Sequence, residues 1–115
     1  MCAARPAPII GRLSATAFQT RILESIGEVA ASDWDALAGV QPFVRHAFLR
    51  ALEASGCAAR RAGWQPRHLT LWQGRELAGA IPLYEKSHSR GEYVFDWAWA
   101  EAYARHGLPY YPKLV

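Results

Sequence analysis

The stretch YEKSHSRGEYVFDWAWAEAY, residues 84–103, concentrates titratable and aromatic side chains. It places His88 between two serines and contains four acids, namely Glu85, Glu92, Asp96 and Glu101. A bend at Gly91 can bring His88 and two of these acids to one concave edge. A neutral imidazole, or a carboxyl with a raised pKa, could there take a proton from an amine. The sequence therefore predicts His88 and Glu92 as catalytic residues.

If this stretch binds a substrate, the expected contacts come from Tyr84, Ser87, Tyr93, Asp96 and Trp97. A structural interpretation of the same stretch competes with the functional one. In it, Asp96 caps the following helix and Glu92 pairs with Arg90 or Lys86. The aromatic side chains of that helix then pack it on the sheet; they are Trp97, Trp99 and Tyr103. The residue types favour this interpretation for Asp96 and the tryptophans and leave both open for His88 and Glu92.

Other chemistries have weaker support in the sequence. The His and Cys residues, at positions 2, 46, 57, 68, 88 and 106, form neither a CxxC nor an HxxxH spacing, so we expect no metal site. Ser87 and His88 are adjacent and point to opposite faces of an extended chain, which disfavours a nucleophilic serine. No GxSxG, GxGxxG or GxxxxGK[ST] motif is present.

One loop carries a local argument for nucleic acid. Three arginines surround Trp64 in ARRAGWQPRH; they are Arg60, Arg61 and Arg67. Guanidiniums beside an aromatic ring can hold phosphates and stack on a base. A solvated loop with Trp64 packed beneath it is the interpretation we favour.

The length, composition and charge of the chain limit the classes of protein to which it can belong. A chain of 115 residues has the size of one domain, and its content is 51% apolar and 20% charged. No uncharged stretch approaches the roughly 18 residues that cross a bilayer. The N-terminus lacks the apolar run and cleavage site of a secretory signal, and two isolated cysteines suit a reducing compartment. We therefore expect a cytoplasmic protein. The net charge of +3 is too small to indicate a particular class of binding partner.

The elements that must position the bend are predicted from periodicity. Residues 20–29 read as a strand with Ile22 and Ile26 on one side. A short helix follows, with Ser32 as N-cap and Gly39 as its stop. The clearest amphipathic helix runs over 42–56, where the spacing predicts that its apolar stripe is formed by Val44, Phe48 and Leu52.

The second half of the chain changes to extended periodicity. A β-hairpin is predicted across Gln73 and Gly74, and Pro82 should leave its second strand bulged or exposed. A short extended piece, YVF, precedes a helix from Asp96 to Gly107. Residues 113–115 begin a strand for which the sequence offers no partner. The order predicts an α/β (α+β) fold with a mixed sheet, and suggests an N-terminal part of a longer protein.

Four segments carry a resemblance to a known family. They are PFVRHAFLRALEASG at 42–56, GWQPRHL at 63–69, IPLYEKSHSRGEYVFDWAWAEAY at 81–103 and YYPKLV at 110–115. They resemble the N-terminal part of the FemAB-like family of peptidoglycan biosynthesis or recognition proteins. The resemblance covers roughly residues 20–115, which sets an expected domain there and a loose leader over residues 1–19.

The resemblance implies a GNAT-like acyltransferase fold and transfer of an acyl or aminoacyl group to an amine. The implied donor is acyl-CoA or aminoacyl-tRNA, and the implied acceptor is an amine-bearing small molecule or cell-wall precursor. Nucleic acid is an expected partner only if aminoacyl-tRNA is the donor. In such enzymes a later strand and helix polarise the donor carbonyl. Because no Gly-rich pyrophosphate loop is present, the 115-residue chain alone is expected to be inactive.

A non-catalytic binding module for a cell-wall peptide or glycan is the alternative. Its stacking faces would be Trp72, Tyr84, Tyr93 and Trp97, with nearby acids holding amino groups.

Overall fold

The computed structural model describes residues 17–115, which contain six strands and three α-helices. The helices are α1 (Ala31–Ala38), α2 (His46–Ser55) and α3 (Trp97–Arg105). The strands are β1 (Phe18–Leu23), β2 (Trp64–Pro66), β3 (His68–Gln73), β4 (Glu76–Ile81), β5 (Tyr84–Lys86) and β6 (Lys113–Leu114). They form two three-stranded sheets, in the orders β1-β3-β4 and β2-β5-β6.

The α+β class expected from the sequence is confirmed. Every strand pair within residues 17–115 is antiparallel, where the sequence predicted a mixed sheet. β1 begins at Phe18, just before the expected domain boundary at residue 20, and residues 1–16 of the expected leader lie outside the described residues. No helix in the described range is long and apolar enough to cross a membrane.

The predicted hairpin forms the centre of the first sheet. Gln73 pairs with Glu76, so the loop consists of Gly74 and Arg75. Gly74 has a φ of +62°, a conformation that glycine adopts without steric cost. β4 ends at Ile81, immediately before Pro82, because proline has no N–H to donate to the ladder.

Helices cover one face of the first sheet. The core between them consists of Leu23, Ile26, Val29, Trp34, Leu49 and Leu77. The indole N–H of Trp34 donates to the Val44 carbonyl at 2.7 Å, which satisfies its buried polar atom. The opposite face carries Ile22 and Ile81, which share one register row and are both exposed.

The predicted strand over 20–29 is too long. The chain leaves the sheet after Leu23, because Ser25 begins a 3₁₀ turn over Ile26–Glu28 with a capping box. The Ser25 hydroxyl accepts from the Gly27 amide at 3.1 Å, and the Glu28 carboxylate accepts from the Ser25 amide at 2.8 Å. Ile26 is consequently buried while Ile22 is exposed, so the two do not share a side as predicted.

The helix starts also differ from the predictions. α1 begins at Ala31, so Ser32 lies inside it and does not cap it; its end at Gly39 is confirmed. α2 begins only at His46, because Pro42–Val44 forms a separate 3₁₀ turn. The helix buries Leu49 and leaves Phe48 exposed, so its buried side chain lies one residue after the predicted Phe48.

The Glu53 carboxylate connects α2 to the 3₁₀ turn and to β3. The carboxylate of Glu53, in α2, accepts from the Ser25 hydroxyl at 2.7 Å and from the Ile26 amide at 2.8 Å. Its Oε1 also lies 3.2 Å from Nε2 of His68, which is fully buried. Nδ1 of His68 accepts from the Leu83 amide at 3.3 Å, so the neutral ring carries its proton on Nε2 and donates it to Glu53.

The buried His68 makes stability depend on pH. Burial lowers the pKa of His68 below its ordinary 6.5 and outweighs the opposing effect of the Glu53 carboxylate. The unfolded chain therefore takes up this proton first as the pH falls. We predict that the free energy of unfolding falls below about pH 6.5, by at most about 1.4 kcal/mol per pH unit. Urea titrations between pH 7.5 and 5 measure this slope.

The matched variant for this prediction is His68→Gln, which cannot titrate in this range. Its slope between pH 6.5 and 5 should be smaller than that of the wild type. Equal slopes in the two proteins would contradict the role of His68. The lowered pKa values of Glu92 and Asp96 change the stability only below pH 5, since the pKa values of these groups in the unfolded chain are about 4.

Candidate functional site

The second sheet divides its side chains between two faces. In the register of β2 and β5, Trp64 pairs with Lys86 and Gln65 pairs with Glu85. Because side chains alternate along a strand, the first pair lies on one face and the second pair on the other. The bend that carries His88 follows directly after β5, so its residues can contact side chains on either face of the sheet.

The predicted strand at the end of the sequence has a partner. β6 lies beside β5, where Lys113 pairs with Lys86 and Leu114 pairs with Glu85. The expectation that residues 113–115 lack a partner is therefore wrong. The sequence did not predict β5 as a separate strand, because the pattern before and after Pro82 reads as one long hairpin strand.

Lys86 is completely buried and has a partner on each side. Its Nζ lies 3.8 Å from the centroid of the Trp64 ring and 2.7 Å from Oε1 of Glu92. It also donates to the Arg90 carbonyl at 2.8 Å. A buried ammonium is tolerated only when it is paired and hydrogen-bonded, and these contacts meet that condition. They hold the 87–92 bend against β5.

Glu92 lies between two lysines. Its second oxygen, Oε2, accepts from Nζ of Lys113 at 2.7 Å. Burial raises the pKa of the Glu92 carboxyl, but the hydrogen bonds from Lys113 and Lys86 outweigh it and hold the pKa below its ordinary value. For Lys113 the effects have the opposite signs. Burial lowers the pKa of its ammonium group, but the carboxylates of Asp96 and Glu92 outweigh burial and raise the pKa above its ordinary value. Glu92 and Lys113 are therefore both charged at neutral pH.

Asp96 does not cap α3 as predicted. It occupies the N-cap position, but its side chain makes no bond to the helix amides. The carboxylate instead accepts hydrogen bonds from Lys113, from the Ser89 hydroxyl and, at 2.6 Å, from the Tyr110 hydroxyl. These bonds lower the pKa of Asp96 far below its ordinary value, with that from Lys113 contributing most. An ammonium partner holds the carboxylate more strongly than a helix amide does.

His88 organises the bend through its ring nitrogen. Nδ1 accepts from the Arg90 amide at 3.2 Å, so the neutral ring carries its proton on Nε2. The ring packs against Gly63, where an added Cβ would lie 2.8 Å from its atoms Cδ2 and Cε1. In this arrangement His88 has no free lone pair with which to take a proton.

A pocket of about 430 Å³ lies on the other face of the second sheet. It is lined by Arg60, Gly63, Gln65, Glu85, Ser87, Tyr111 and Pro112. Ser87 is the predicted site residue that lines it. Strand alternation, applied to β2 and β5 as separate strands, is the signal that would have found Gln65 and Glu85.

Glu85 is the acid of this pocket. Its Oε2 lies 3.5 Å from Nε of Arg67, whereas Nη1 of Arg67 lies 2.7 Å from the Glu24 carboxylate. Because Arg67 is held mainly by Glu24, the Glu85 carboxylate remains available to a ligand. No group of three or more His, Cys, Asp or Glu side chains suited to a metal ion occurs within residues 17–115.

The remaining predicted residues do not converge. The Tyr84 hydroxyl is enclosed, with no hydrogen-bond partner among residues 17–115, and burial raises its pKa. Tyr93 is fully exposed and Trp97 is 64% exposed. Trp72 has the Arg21 guanidinium 4.9 Å from its ring centroid. The four aromatic residues expected for a binding module thus form no common platform.

The expectation that the α3 aromatics pack on the sheet is wrong. Trp97, Trp99 and Tyr103 are all exposed, and α3 buries none of its side chains within the described fold. The Tyr103 ring packs edge-on against the ring of Tyr110, with centroids 5.1 Å apart. The hydrogen bonds of Asp96 therefore anchor the start of α3.

The model of the FemAB-like family, described as peptidoglycan biosynthesis/recognition, matches residues 25–115, which contain the pocket and the bend. The chain belongs to the FemAB-like family. This match confirms the resemblance carried by the four sequence segments. No curated protein and no solved structure shows significant similarity to the FemAB-like chain.

Gly63 gives a direct test of the site's packing in this FemAB-like protein. Its φ is +74°, and its missing Cβ leaves room for the His88 ring. We predict that Gly63→Ala lowers the free energy of unfolding by about 1–3 kcal/mol more than backbone strain alone, because the ring must shift. Urea unfolding of the variants measures this difference.

Gly107→Ala is the matched control, since Gly107 has a φ of +69° and nothing lies within 4 Å of its added Cβ. The excess cost at position 63 should largely disappear when His88 is also replaced by alanine. Equal costs for the two glycine variants, or an unchanged excess in the double variant, would contradict this packing.

Proposed function

We propose that this chain takes part in N-acyl transfer within peptidoglycan biosynthesis, moving an acyl or aminoacyl group to an amine. Its membership of the FemAB-like family supports the biosynthetic setting. The observation that carries the proposal is the Glu85 carboxylate, which lines an open pocket and is only weakly held by Arg67. The proposed setting is the cytoplasm, as expected from the sequence.

Glu85 is assigned to bind the acceptor amine. A carboxylate accepts hydrogen bonds from an ammonium group and attracts its charge, which draws the amine into the pocket. The ammonium first gives one proton to the Glu85 carboxylate, and the amine nitrogen then bonds to the donor's carbonyl carbon and releases a second proton. The bond from that carbon to the carrier then breaks, and the leaving thiol of CoA, or the ribose hydroxyl of a tRNA, takes up a proton.

His88 and Glu92 are assigned to position the bend rather than to transfer the proton. Glu92 is a weak base, because two ammonium groups hold its pKa low. The Nδ1 of His88 is already engaged by the Arg90 amide. Ser87, which follows β5 and begins the bend, lines the pocket. The catalytic role inferred from the sequence for His88 remains a prediction that the variants below test, and the role inferred for Glu92 stays a prediction.

Glu85→Gln tests the proposed role of the carboxylate. The assay uses the longest reading frame that contains these residues and measures transfer from acyl-CoA or aminoacyl-tRNA to an amine. We predict that kcat/KM for the amine falls by about 100-fold, since the amide neither attracts the ammonium nor takes its proton. Glu76→Gln, an exposed acid at the start of β4, is the matched control and should keep full activity.

Two substitutions at His88 separate positioning from proton transfer. Asparagine can still accept the Arg90 amide through its side-chain oxygen, whereas alanine cannot. Retained activity in His88→Asn and reduced activity in His88→Ala are expected. Loss of activity in both variants would overturn the positioning role. An unchanged rate in Glu85→Gln would overturn the assignment of the pocket.

A further inference from the structure

The pocket contains a group of hydrogen-bond donors as well as one carboxylate. The Arg60 guanidinium donates through Nε to Oε1 of Gln65 at 3.1 Å. Because a guanidinium only donates, the Gln65 atom facing it must be the oxygen, and the amide nitrogen is directed elsewhere. This bond fixes Arg60 at the wall of the pocket while leaving its two terminal nitrogens exposed.

Three donor groups in this pocket have no further partner within residues 17–115. They are the terminal nitrogens of Arg60, the amide nitrogen of Gln65 and the hydroxyl of Ser87. Gln65 and Glu85 lie opposite one another in the β2–β5 register, and Ser87 continues the same face two residues beyond Glu85. The lining thus carries one positive and one negative side chain together with neutral donors.

We infer that the acceptor is a zwitterion, an amino acid or peptide whose free carboxylate occupies the same pocket as the amine. This inference rests on the proposed function for the identity of the amine as acceptor. The ammonium binds Glu85, and the carboxylate binds the fork of Arg60 together with Gln65 and Ser87. The volume of about 430 Å³ lies within the range of small-molecule sites.

The charge of the pocket favours a carboxylate over a phosphate. One guanidinium and neutral donors match a single negative charge. A doubly charged phosphate would place its second charge near Glu85, where like charges repel. A plain amine would leave the donors of Arg60, Gln65 and Ser87 unmatched by the ligand. A site with such donors discriminates against analogues that lack the matching acceptor.

Binding to the 115-residue chain, without any acyl donor, tests the inference. Straight-chain amino acids from glycine to 6-aminohexanoate are titrated by NMR and compared with alkylamines and carboxylates of equal length. The best amino acid should bind at least about tenfold more tightly than either single-charge analogue. Arg60→Gln should remove the preference over the amine, and Glu85→Gln should remove the preference over the acid.

Arg75→Gln and Glu76→Gln are the matched controls, because both residues are exposed in the hairpin of the first sheet. They should keep both preferences. An amine that binds as tightly as the amino acid, or an unchanged preference in Arg60→Gln, overturns the inference. Tighter binding of an aminoalkylphosphonate than of the matching amino acid overturns the choice of carboxylate.

The proposed function and this inference fail in different ways. Acyl transfer to simple amines, with no preference for amino acids, would keep the function and overturn the zwitterionic acceptor. Selective binding of amino acids, with no transfer to any of them by the longest reading frame, would overturn the function and keep the binding site.

Discussion

The enclosed ammonium of Lys86 is the constraint on which the second sheet and its bend depend. Removing an ammonium from water costs several kcal/mol unless partners replace the solvent. Here the Trp64 ring, the Glu92 carboxylate and the Arg90 carbonyl replace it. The bend cannot move away from β5 without leaving this charge unpaired, so the burial of one side chain fixes six residues of irregular backbone.

The network continues from Glu92 to Lys113 and Asp96, which adds β6 and the start of α3. Two cations and two anions balance one another, and the lowered pKa values of the carboxyls keep them charged well below neutral pH. The same strands present Gln65 and Glu85 on their other face. Strand alternation thus assigns one face to the scaffold and the other to a ligand, which explains why the acids of residues 84–103 do not share one role.

Local patterns predicted the features that depend on neighbouring residues. The hairpin, the helix stop at Gly39 and the α+β class follow from periodicity and glycine placement, and the pairing of Glu92 with Lys86 was one of two interpretations. Contacts between distant residues were not predictable in this way. Asp96 is drawn from its capping role by Lys113, and Glu53 is held by Ser25 and Ile26, far along the chain.

The aromatic residues of α3 show a second limit of sequence reasoning. Their composition is typical of a buried helix, yet no element of the described fold covers Trp97 or Trp99. The pocket was missed for a different reason. Its side chains are common polar types, and only the pairing of β2 with β5 places them on one face.

Amide hydrogen exchange in Lys86→Met tests most directly whether the buried ammonium fixes the bend. Methionine keeps the apolar stem but removes the charge, and the amides of β3 and β4 serve as an internal reference. We predict that exchange over residues 87–92 accelerates at least about tenfold relative to that reference, because Glu92 and the Arg90 carbonyl lose their partner. Unchanged relative exchange in the bend would contradict it.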